Sequence, residues 1–471
     1  MKELRGKMRL VGALIVCLFI GLGAWYGYTV YSQGSVWASN PYNTRANGTT
    51  AHMGDITDRD GNLLAHTASD GTRQYLTNEK SRRALSQTIG DQMGMSGTGV
   101  ENYYSSTLLN ISGSLLDRLR SAFSGEERVG SSIQLTIDGE LTAYISSIFP
   151  EGKNGAVCLI NYRTGEVLAW VSKPDYDPAD LLDGSTEGDD IADTAFLNRC
   201  LQGLYMPGST FKIVTLAAAI EADPNVLNQK FLCSGSWDYE GGTIVCAGGA
   251  VHGEVDLVTA FTKSCNITFG KLAYQLGVER LRATAENFGF NENFKFGDFM
   301  IYNSVFPESV ENAGGLVWAG VGQGEVLATP QHMAMIAGAV ANGGVMMEPR
   351  LLQDVTSASG VNRLKFTSAT YRTALSYSLA EEIKGYMAAV VQSGTAKQAA
   401  VSGLTICGKT GSAESNDDGR PVTHGWFIGF IDDDDYPYAV AVLVEDVNDG
   451  DGGGSVAAPI AQDIFTYLKE N

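Results

Sequence analysis

The longest apolar run of the chain lies near its amino terminus. Residues 10–30 carry no charged side chain, and a run of this length can cross a bilayer as a helix. The four residues Lys2, Arg5, Lys7 and Arg9 make the preceding tail, residues 1–9, strongly basic. Because cytoplasmic flanks are rich in Lys and Arg, we expect the amino terminus inside and the remainder of the chain outside. A cleaved signal peptide is the alternative, but the run exceeds a usual signal-peptide core, which favours an uncleaved anchor.

The next segment, residues 31–130, is polar and only weakly periodic. Its first part, residues 32–50, shows no periodicity and suits a stalk. Two short strands are predicted around the Asp60-Gly61 turn, and Gly99 opens an amphipathic helical pattern that reaches Leu108. Since this segment is too small and too polar to hold the main core, we predict a small pedestal domain.

Residues 131–471 show much stronger hydrophobic patterns. A strand is predicted over 133–137, a helix over 141–149, and a hairpin from 156–161 and 166–172. Further helices are predicted over 209–222, 257–276, 329–341 and 381–391. Strands over 404–409, 426–431 and 438–445 and a helix over 459–469 complete the chain. Strands at both ends with helices between them predict one α/β (α+β) domain whose sheet joins distant segments.

Charge and cysteine content narrow the function classes. The chain has 33 basic and 53 acidic residues, a net charge of −20, which argues against nucleic acid as a partner. No Cys-x-x-Cys occurs and the 5 histidines form no i, i+4 pair, so we expect no metal and no other cofactor. Cys233 and Cys246 flank a glycine-rich segment and could form a disulfide, although we favour small buried thiols.

The most chemically suggestive stretch follows Pro207 and Gly208. Ser209 and Lys212 begin a predicted helix whose next residues are almost entirely apolar. Residues three apart lie on one helix face, so the lysine amine can reach the serine hydroxyl. A serine nucleophile needs a neighbouring base, and burial would lower the lysine pKa enough for that role.

Two further motifs accompany this pair. Ser264 and Asn266 form a Ser-x-Asn motif around Cys265, at the start of an apolar helical pattern. A Lys-Thr-Gly-Ser motif at residues 409–412 ends a predicted strand. Ser-x-x-Lys, Ser-x-Asn and Lys-Thr-Gly in this order are the signature of penicillin-binding proteins and class A β-lactamases.

The chain resembles class B penicillin-binding proteins over nearly its whole length. The similarity includes residues 198–205, 322–324, 329–330, 424–430 and the pedestal stretch 54–61, which β-lactamases lack. The departures are small: Met53, Met206 and Cys265 stand where the family commonly has other residues. The resemblance implies a penicillin-recognising serine transpeptidase fold, with a central antiparallel sheet flanked by helices, a small pedestal and one transmembrane helix.

The resemblance also implies a function. The chain would be a monofunctional D,D-transpeptidase that cross-links peptidoglycan stem peptides and is acylated by β-lactams. Ser209 would be the nucleophile, Lys212 its base, and Ser264 the proton relay to the leaving D-alanine. The backbone N–H groups of Ser209 and Ser412 would form the oxyanion hole. The substrate would be bound by Asn266, Lys409, Thr410, Gly411 and Ser412.

The resemblance places the protein in the bacterial plasma membrane, with a single span, a cytoplasmic amino terminus and an extracellular catalytic domain. A membrane glycosyltransferase of the shape, elongation, division and sporulation family is the expected partner. Alternative functions are a non-catalytic activator of that glycosyltransferase, a membrane-anchored β-lactamase, or a β-lactam sensor. Sensors normally carry several spans, and we see no clear deacylating base for a β-lactamase.

Residues 403–410 also satisfy the phosphate-binding pattern Gly-x-x-x-x-Gly-Lys-Thr. A P-loop requires a turn between a strand and a helix, whereas residues 404–407 favour a strand and residues 412–419 a polar turn. We therefore disfavour nucleotide binding.

Overall fold

The first element of the fold is one long helix, α1 (Lys2–Ala38). The structure is a computed structural model, and it describes residues 2–38, 52–109, 129–182, 191–240, 242–309, 313–357, 360, 362–417 and 420–471. Its stretch Val11–Thr29 has a mean hydropathy of 1.8 and is long and apolar enough to cross a membrane. The helix continues to residue 38, so the first part of the predicted stalk is helical, in keeping with the absence of proline before Pro41. Residues 39–50 of that stalk lie outside the described residues.

Short elements follow over residues 52–109. They are β1 (Ile56–Thr57), β2 (Leu63–Thr67), β3 (Arg73–Tyr75), α2 (Glu79–Ala84), α3 (Ser86–Ile89), α4 (Val100–Tyr103) and α5 (Ser105–Leu108). The predicted hairpin is confirmed, because β1 pairs antiparallel with β2. Asp58 stabilises its turn by accepting hydrogen bonds from the N–H groups of Asp60 (3.0 Å) and Asn62 (2.8 Å).

The remaining chain alternates helices and strands. The first half contains β4 (Ser132–Leu135), α6 (Gly139–Ile148), β5 (Gly155–Asn161), β6 (Val167–Lys173), α7 (Lys212–Ala222), β7 (Lys230–Cys233), β8 (Ser236–Tyr239), β9 (Gly242–Val245), β10 (Gly253–Asp256), α8 (Leu257–Thr262), α9 (Asn266–Leu276) and α10 (Val278–Asn287). The second half contains α11 (Ala313–Ala319), α12 (Pro330–Ala341), β11 (Val345–Met347), β12 (Leu352–Thr356), β13 (Asn362–Lys365), β14 (Thr370–Thr373), α13 (Tyr377–Ser393), β15 (Ile406–Asp417), β16 (Arg420–Ile431), β17 (Tyr438–Val444) and α14 (Ala458–Glu470).

The main sheet has five antiparallel strands in the order β15-β16-β17-β5-β6. It therefore joins strands from both ends of the domain, as the sequence predicts. Helix α12 packs against one face, and α6 and α14 pack against the other. Because both faces are covered, β5 and β17 are buried along almost their whole length rather than alternating.

A second sheet connects the pedestal segment to the rest of the chain. Its six strands run in the order β13-β12-β4-β1-β2-β3, with β1 and β4 parallel. Strands β4, β12 and β13 follow residue 130, so this sheet combines both segments that the sequence analysis separates. One continuous cluster of buried apolar side chains extends from Ile56 to Phe465.

Three predicted elements differ in the structure. The helical pattern predicted from Gly99 to Leu108 is divided at Tyr104 into α4 and α5. The helix predicted over 257–276 is broken into α8 and α9, because Ser264 has a positive φ of 56° and Cys265 caps the second helix. The polar turn predicted over 412–419 is wrong, since β15 continues to Asp417. Pairing of β15 with β16 along its full length extends this strand beyond its apolar portion.

Candidate active site

Ser209 lies in a single 3-10 turn, Gly208–Phe211, immediately before α7. Gly208 has a φ of 55°, and a Cβ atom there would lie 2.9 Å from the carbonyl oxygen of Ser412. The turn therefore packs closely against strand β15, and only glycine combines this φ with so short a contact. The indole Nε1 of Trp426 donates to the carbonyl of Met206 (3.0 Å) and fixes the approach to the turn.

Lys212 is the first residue of α7 and is fully buried. Its Nζ lies 3.0 Å from Ser209 Oγ and 3.1 Å from Ser264 Oγ. It also donates to the Ser264 carbonyl and to Asn266 Oδ1, both at 2.7 Å. The carbonyl and amide oxygens can only accept hydrogen bonds, so they occupy the two N–H groups of a neutral amine. Its single lone pair is then left to accept a proton from Ser209 Oγ or from Ser264 Oγ, one at a time.

Burial lowers the pKa of Lys212 to about 7. A substantial fraction of the amine is therefore neutral at pH 7, which a proton acceptor requires. The ring of Phe269, whose centroid is 5.7 Å from Nζ, forms part of the apolar enclosure.

Ser264 and Asn266 reach Lys212 because the chain turns sharply between α8 and α9. The positive φ of Ser264 directs both its carbonyl and its hydroxyl toward the amine. Asn266 Nδ2 donates to the carbonyl of Val245 (2.9 Å), which leaves Oδ1 facing the lysine. The break between α8 and α9, which the helix predicted over 257–276 does not contain, therefore positions the Ser-x-Asn motif next to Lys212.

Strand β15 supplies Lys409, Thr410, Gly411 and Ser412. Lys409 Nζ donates to Ser264 Oγ and to the Thr410 carbonyl, both at 3.0 Å. Burial, followed by the charge of the neighbouring Lys212, lowers the pKa of Lys409 well below its usual value. Burial is also the main cause of the lowered pKa of Lys212.

Gly411 and Ser412 mark the closest approach of β15 to the turn that carries Ser209. A Cβ atom on Gly411 would lie 2.7 Å from the carbonyl oxygen of Pro207. Any larger residue would push the strand away from the nucleophile. Ser412 is exposed, and its carbonyl accepts a hydrogen bond from Gln323 Nε2 (3.4 Å).

These residues border a cleft of about 550 Å³, within the usual range of ligand sites. Of the predicted site residues, Ser209, Ser264, Asn266, Thr410, Gly411 and Ser412 line it. Lys212 and Lys409 lie behind this lining and are fully buried. The structure therefore brings all eight predicted residues together from three separate parts of the sequence.

The sequence analysis missed several residues of the cleft. Thr395 is the clearest, because its Oγ1 lies 2.5 Å from Thr410 Oγ1. It follows the end of α13 without any local chemical pattern, so only the fold reveals it. Other residues that line the cleft and were not predicted to bind substrate are Trp318, Gln323, Glu414 and Ser455.

A second group of side chains also lies beside the cleft. The thiols of Cys233, Cys246 and Cys265 and the imidazole of His252 lie within 4.8 Å of one another. The sequence analysis found no metal-ligand spacing because these residues are far apart in sequence, at the end of β7, in the connection between β9 and β10, and at the start of α9. Cys233 and Cys246 are free thiols with their Sγ atoms 3.7 Å apart.

The P-loop alternative does not fit the structure. Residues 406–417 form a continuous strand paired with β16, so Lys409 and Thr410 do not lie in a turn before a helix. Backbone N–H groups of this segment consequently cannot form a phosphate-binding loop.

Comparison with known proteins agrees with the fold and with this geometry. Residues 155–466 match the family model of the penicillin binding protein transpeptidase domain. The peptidoglycan D,D-transpeptidase PbpA of Mycolicibacterium smegmatis is 32% identical over 433 residues, which cover 87% of this chain and 88% of that protein. The PbpA of Mycobacterium tuberculosis is 31% identical over 430 residues, or 86% and 87% of the two chains.

A solved structure of a penicillin-binding protein is also similar to this chain. Penicillin-binding protein A from M. tuberculosis, as a ceftriaxone acyl-enzyme complex, has a TM-score of 0.81 and 28% identity, covering 90% of this chain and 99% of that one. The chain belongs to the penicillin-binding protein transpeptidase family. The predicted fold class and the predicted resemblance to class B penicillin-binding proteins are confirmed.

Proposed function

We propose that this chain is a peptidoglycan D,D-transpeptidase that works through an acyl-enzyme at Ser209. The observation that supports this most directly is a continuous hydrogen-bonded chain at the base of the cleft. It runs from Ser209 to Lys212 (3.0 Å), from Lys212 to Ser264 (3.1 Å), and from Lys409 to Ser264 (3.0 Å). Such a chain can take a proton from the nucleophile and pass it to a leaving group.

Acylation begins when Ser209 Oγ attacks the carbonyl between the two terminal D-alanines of a stem peptide. The hydroxyl proton passes to neutral Lys212, and a proton reaches the nitrogen of the departing D-alanine through Ser264. The C–N bond breaks and an ester forms on Ser209. An amine of a second stem peptide then attacks the ester, and Ser209 recovers its proton.

Two backbone N–H groups, of Ser209 and Ser412, would stabilise the developing oxyanion. The close approach of the Ser209 turn to β15, with Gly208 packed against the Ser412 carbonyl, supports this placement. Loss of one such donor typically costs about 10²–10³-fold in rate.

Substrate recognition would use the other predicted residues. Lys409 and Thr410 would bind the terminal carboxylate, and the hydroxyl of Thr395 would orient that of Thr410. Asn266 would hold the amide of the acyl chain. β-Lactams mimic the D-alanyl-D-alanine end and would acylate the same serine, leaving an ester that hydrolyses slowly.

We also propose the domain organisation and the topology in the membrane. Residues 1–9 form a cytoplasmic tail, 10–30 a plasma-membrane anchor, 31–130 a stalk and pedestal, and 131–471 the transpeptidase domain outside the cell. The basic residues before the apolar stretch support this orientation. The pedestal would contact a membrane glycosyltransferase of the shape, elongation, division and sporulation family.

The transfer reaction itself can be measured with the full-length protein in detergent. A synthetic stem peptide ending in D-alanyl-D-alanine serves as donor and a labelled D-amino acid as acceptor. Native protein and the surface variant Ser147→Ala should release D-alanine and form labelled product, whereas Ser209→Ala should do neither. Hydrolysis without transfer would show a D,D-carboxypeptidase rather than a transpeptidase, and no reaction from folded protein would favour a non-catalytic activator.

A further inference from the structure

Four potential metal ligands converge beside the Ser-x-Asn motif. Cys233 ends β7, Cys246 follows β9, His252 precedes β10, and Cys265 is the N-cap of α9. All four ligand atoms lie within 4.8 Å of one another, and the three thiols are buried. A disulfide needs two thiols, so the convergence of three thiols and an imidazole points to a different use.

The spacing of the ligand atoms matches that around a tetrahedral zinc ion. Zn–S bonds of about 2.3 Å and Zn–N bonds of about 2.0 Å place two sulfurs about 3.8 Å apart and a sulfur and a nitrogen about 3.5 Å apart. The Cys246 sulfur lies 3.7 Å from that of Cys233 and 3.8 Å from that of Cys265. The Nδ1 atom of His252 lies 3.3 Å from the Cys233 sulfur and 3.7 Å from the Cys246 sulfur.

We propose that Cys233, Cys246, His252 and Cys265 bind one structural zinc ion. Three thiolates and one imidazole are a common donor set for structural zinc, and four protein ligands leave no open position for a catalytic water. The Thr268 N–H donates to the Cys265 sulfur (3.4 Å), which stabilises a thiolate there. Binding would release the three thiol protons to solvent.

The ion would position the catalytic motif. Cys265 lies between Ser264 and Asn266, both of which contact Lys212. Cys246 follows Val245, whose carbonyl holds the Asn266 amide. Zinc would therefore tie the segment of residues 245–252, most of which lines the cleft, to the residues that orient the base.

Metal content is the primary test, and it does not depend on the proposed function. The full-length protein should contain about one zinc per chain by elemental mass spectrometry. Replacement by Co²⁺ should give the thiolate charge-transfer and d–d absorption of a tetrahedral site. Metal-free protein with reduced thiols that takes up neither ion would overturn the proposal. So would a native Cys233–Cys246 disulfide, detected as a bridged peptide.

Variants then test the ligand set. Cys233→Ser and His252→Ala should each weaken zinc binding by about a hundredfold or more, since even supporting residues around a metal cost 10–100-fold. Cys200→Ala removes a buried thiol outside the cluster and should keep full zinc content. Zinc removal should also slow acylation by a fluorescent penicillin, and zinc addition should restore the rate. Full zinc retention by both ligand variants would contradict the site.

Discussion

The side-chain nitrogen of Lys212 lies 2.7 Å from the backbone carbonyl of Ser264, although 52 residues separate them in sequence. This contact links the start of α7 to the break between α8 and α9. It directs one N–H of the lysine away from Ser209 and so leaves the lone pair for the nucleophile. The positive φ of Ser264 is therefore part of the active-site geometry.

Acylation should depend on the protonation of Lys212. Because burial lowers its pKa to about 7, the neutral base is the main form above that pH and is lost below it. The rate of acylation by benzylpenicillin should rise with pH through about 7 and then level. Stopped-flow measurement of Trp fluorescence gives this profile. A rate that stays constant across pH 7, or that falls as the pH rises through it, would argue against a neutral lysine base.

Two substitutions of Ser264 distinguish the role of its hydroxyl from the role of its backbone conformation. Ser264→Ala and Ser264→Gly both remove the oxygen shared by Lys212 and Lys409, so each should slow acylation by about a hundredfold or more. Glycine tolerates the φ of 56° better than alanine does. The free energy of unfolding of Ser264→Gly should therefore be about 0.5–1 kcal/mol higher than that of Ser264→Ala. Acylation at the native rate by either variant would exclude the proton relay.

Thr395 should contribute to substrate binding through Thr410. Thr395→Val removes the hydrogen bond between the two hydroxyls, which is worth about 1 kcal/mol, and should weaken initial β-lactam binding roughly fivefold. Thr395→Ser keeps the hydroxyl and should retain native binding. The dissociation constant from the concentration dependence of acylation provides the comparison, and equal constants for Val and Ser would show that the hydroxyl is dispensable.

Residues 52–109 of the proposed pedestal contain a buried ion pair that should contribute to the stability of the fold. Glu101 lies 2.6 Å from Arg73 and accepts a hydrogen bond from the Tyr75 hydroxyl (2.7 Å). Glu101→Ala leaves the guanidinium buried without this partner and should lower the free energy of unfolding by about 3–5 kcal/mol. Denaturant unfolding measures the loss.

The pair of Glu279, which is exposed, and Arg282, which is half-buried, supplies the control. Glu279→Ala should cost less than about 1 kcal/mol, since exposed ion pairs contribute little. Folded Glu101→Ala protein should still acylate at the native rate. Equal stability losses for the two variants would show that burial of the Arg73 pair is unimportant.

The sequence predicts much of the fold because most elements carry strong local patterns. The apolar run near the amino terminus, the hairpin of β5 and β6 and the buried helix after Ser209 follow from local runs of apolar residues and the turn residues that bound them. The Ser-x-x-Lys, Ser-x-Asn and Lys-Thr-Gly motifs identify their candidate residues before any contact is known.

Other features depend on contacts between distant segments. Nothing local signals that Ser264 interrupts a helical pattern, because the break is stabilised by Lys212 from another helix. The extension of β15 follows from pairing with β16, and Thr395 is recognised only through Thr410. The thiol and imidazole cluster shows no metal-ligand spacing in the sequence for the same reason, since contacts between β7, the β9–β10 connection and the start of α9 bring its members together.

The most direct test of acyl-enzyme chemistry at Ser209 is the intact mass of the full-length protein after mixing with benzylpenicillin. The native chain should gain the mass of one intact drug molecule and keep it over time. Ser209→Ala should gain none while retaining native unfolding behaviour. An equal adduct on Ser209→Ala, or a folded native chain that never gains mass and never consumes the drug, would contradict a serine acyl-enzyme at this position.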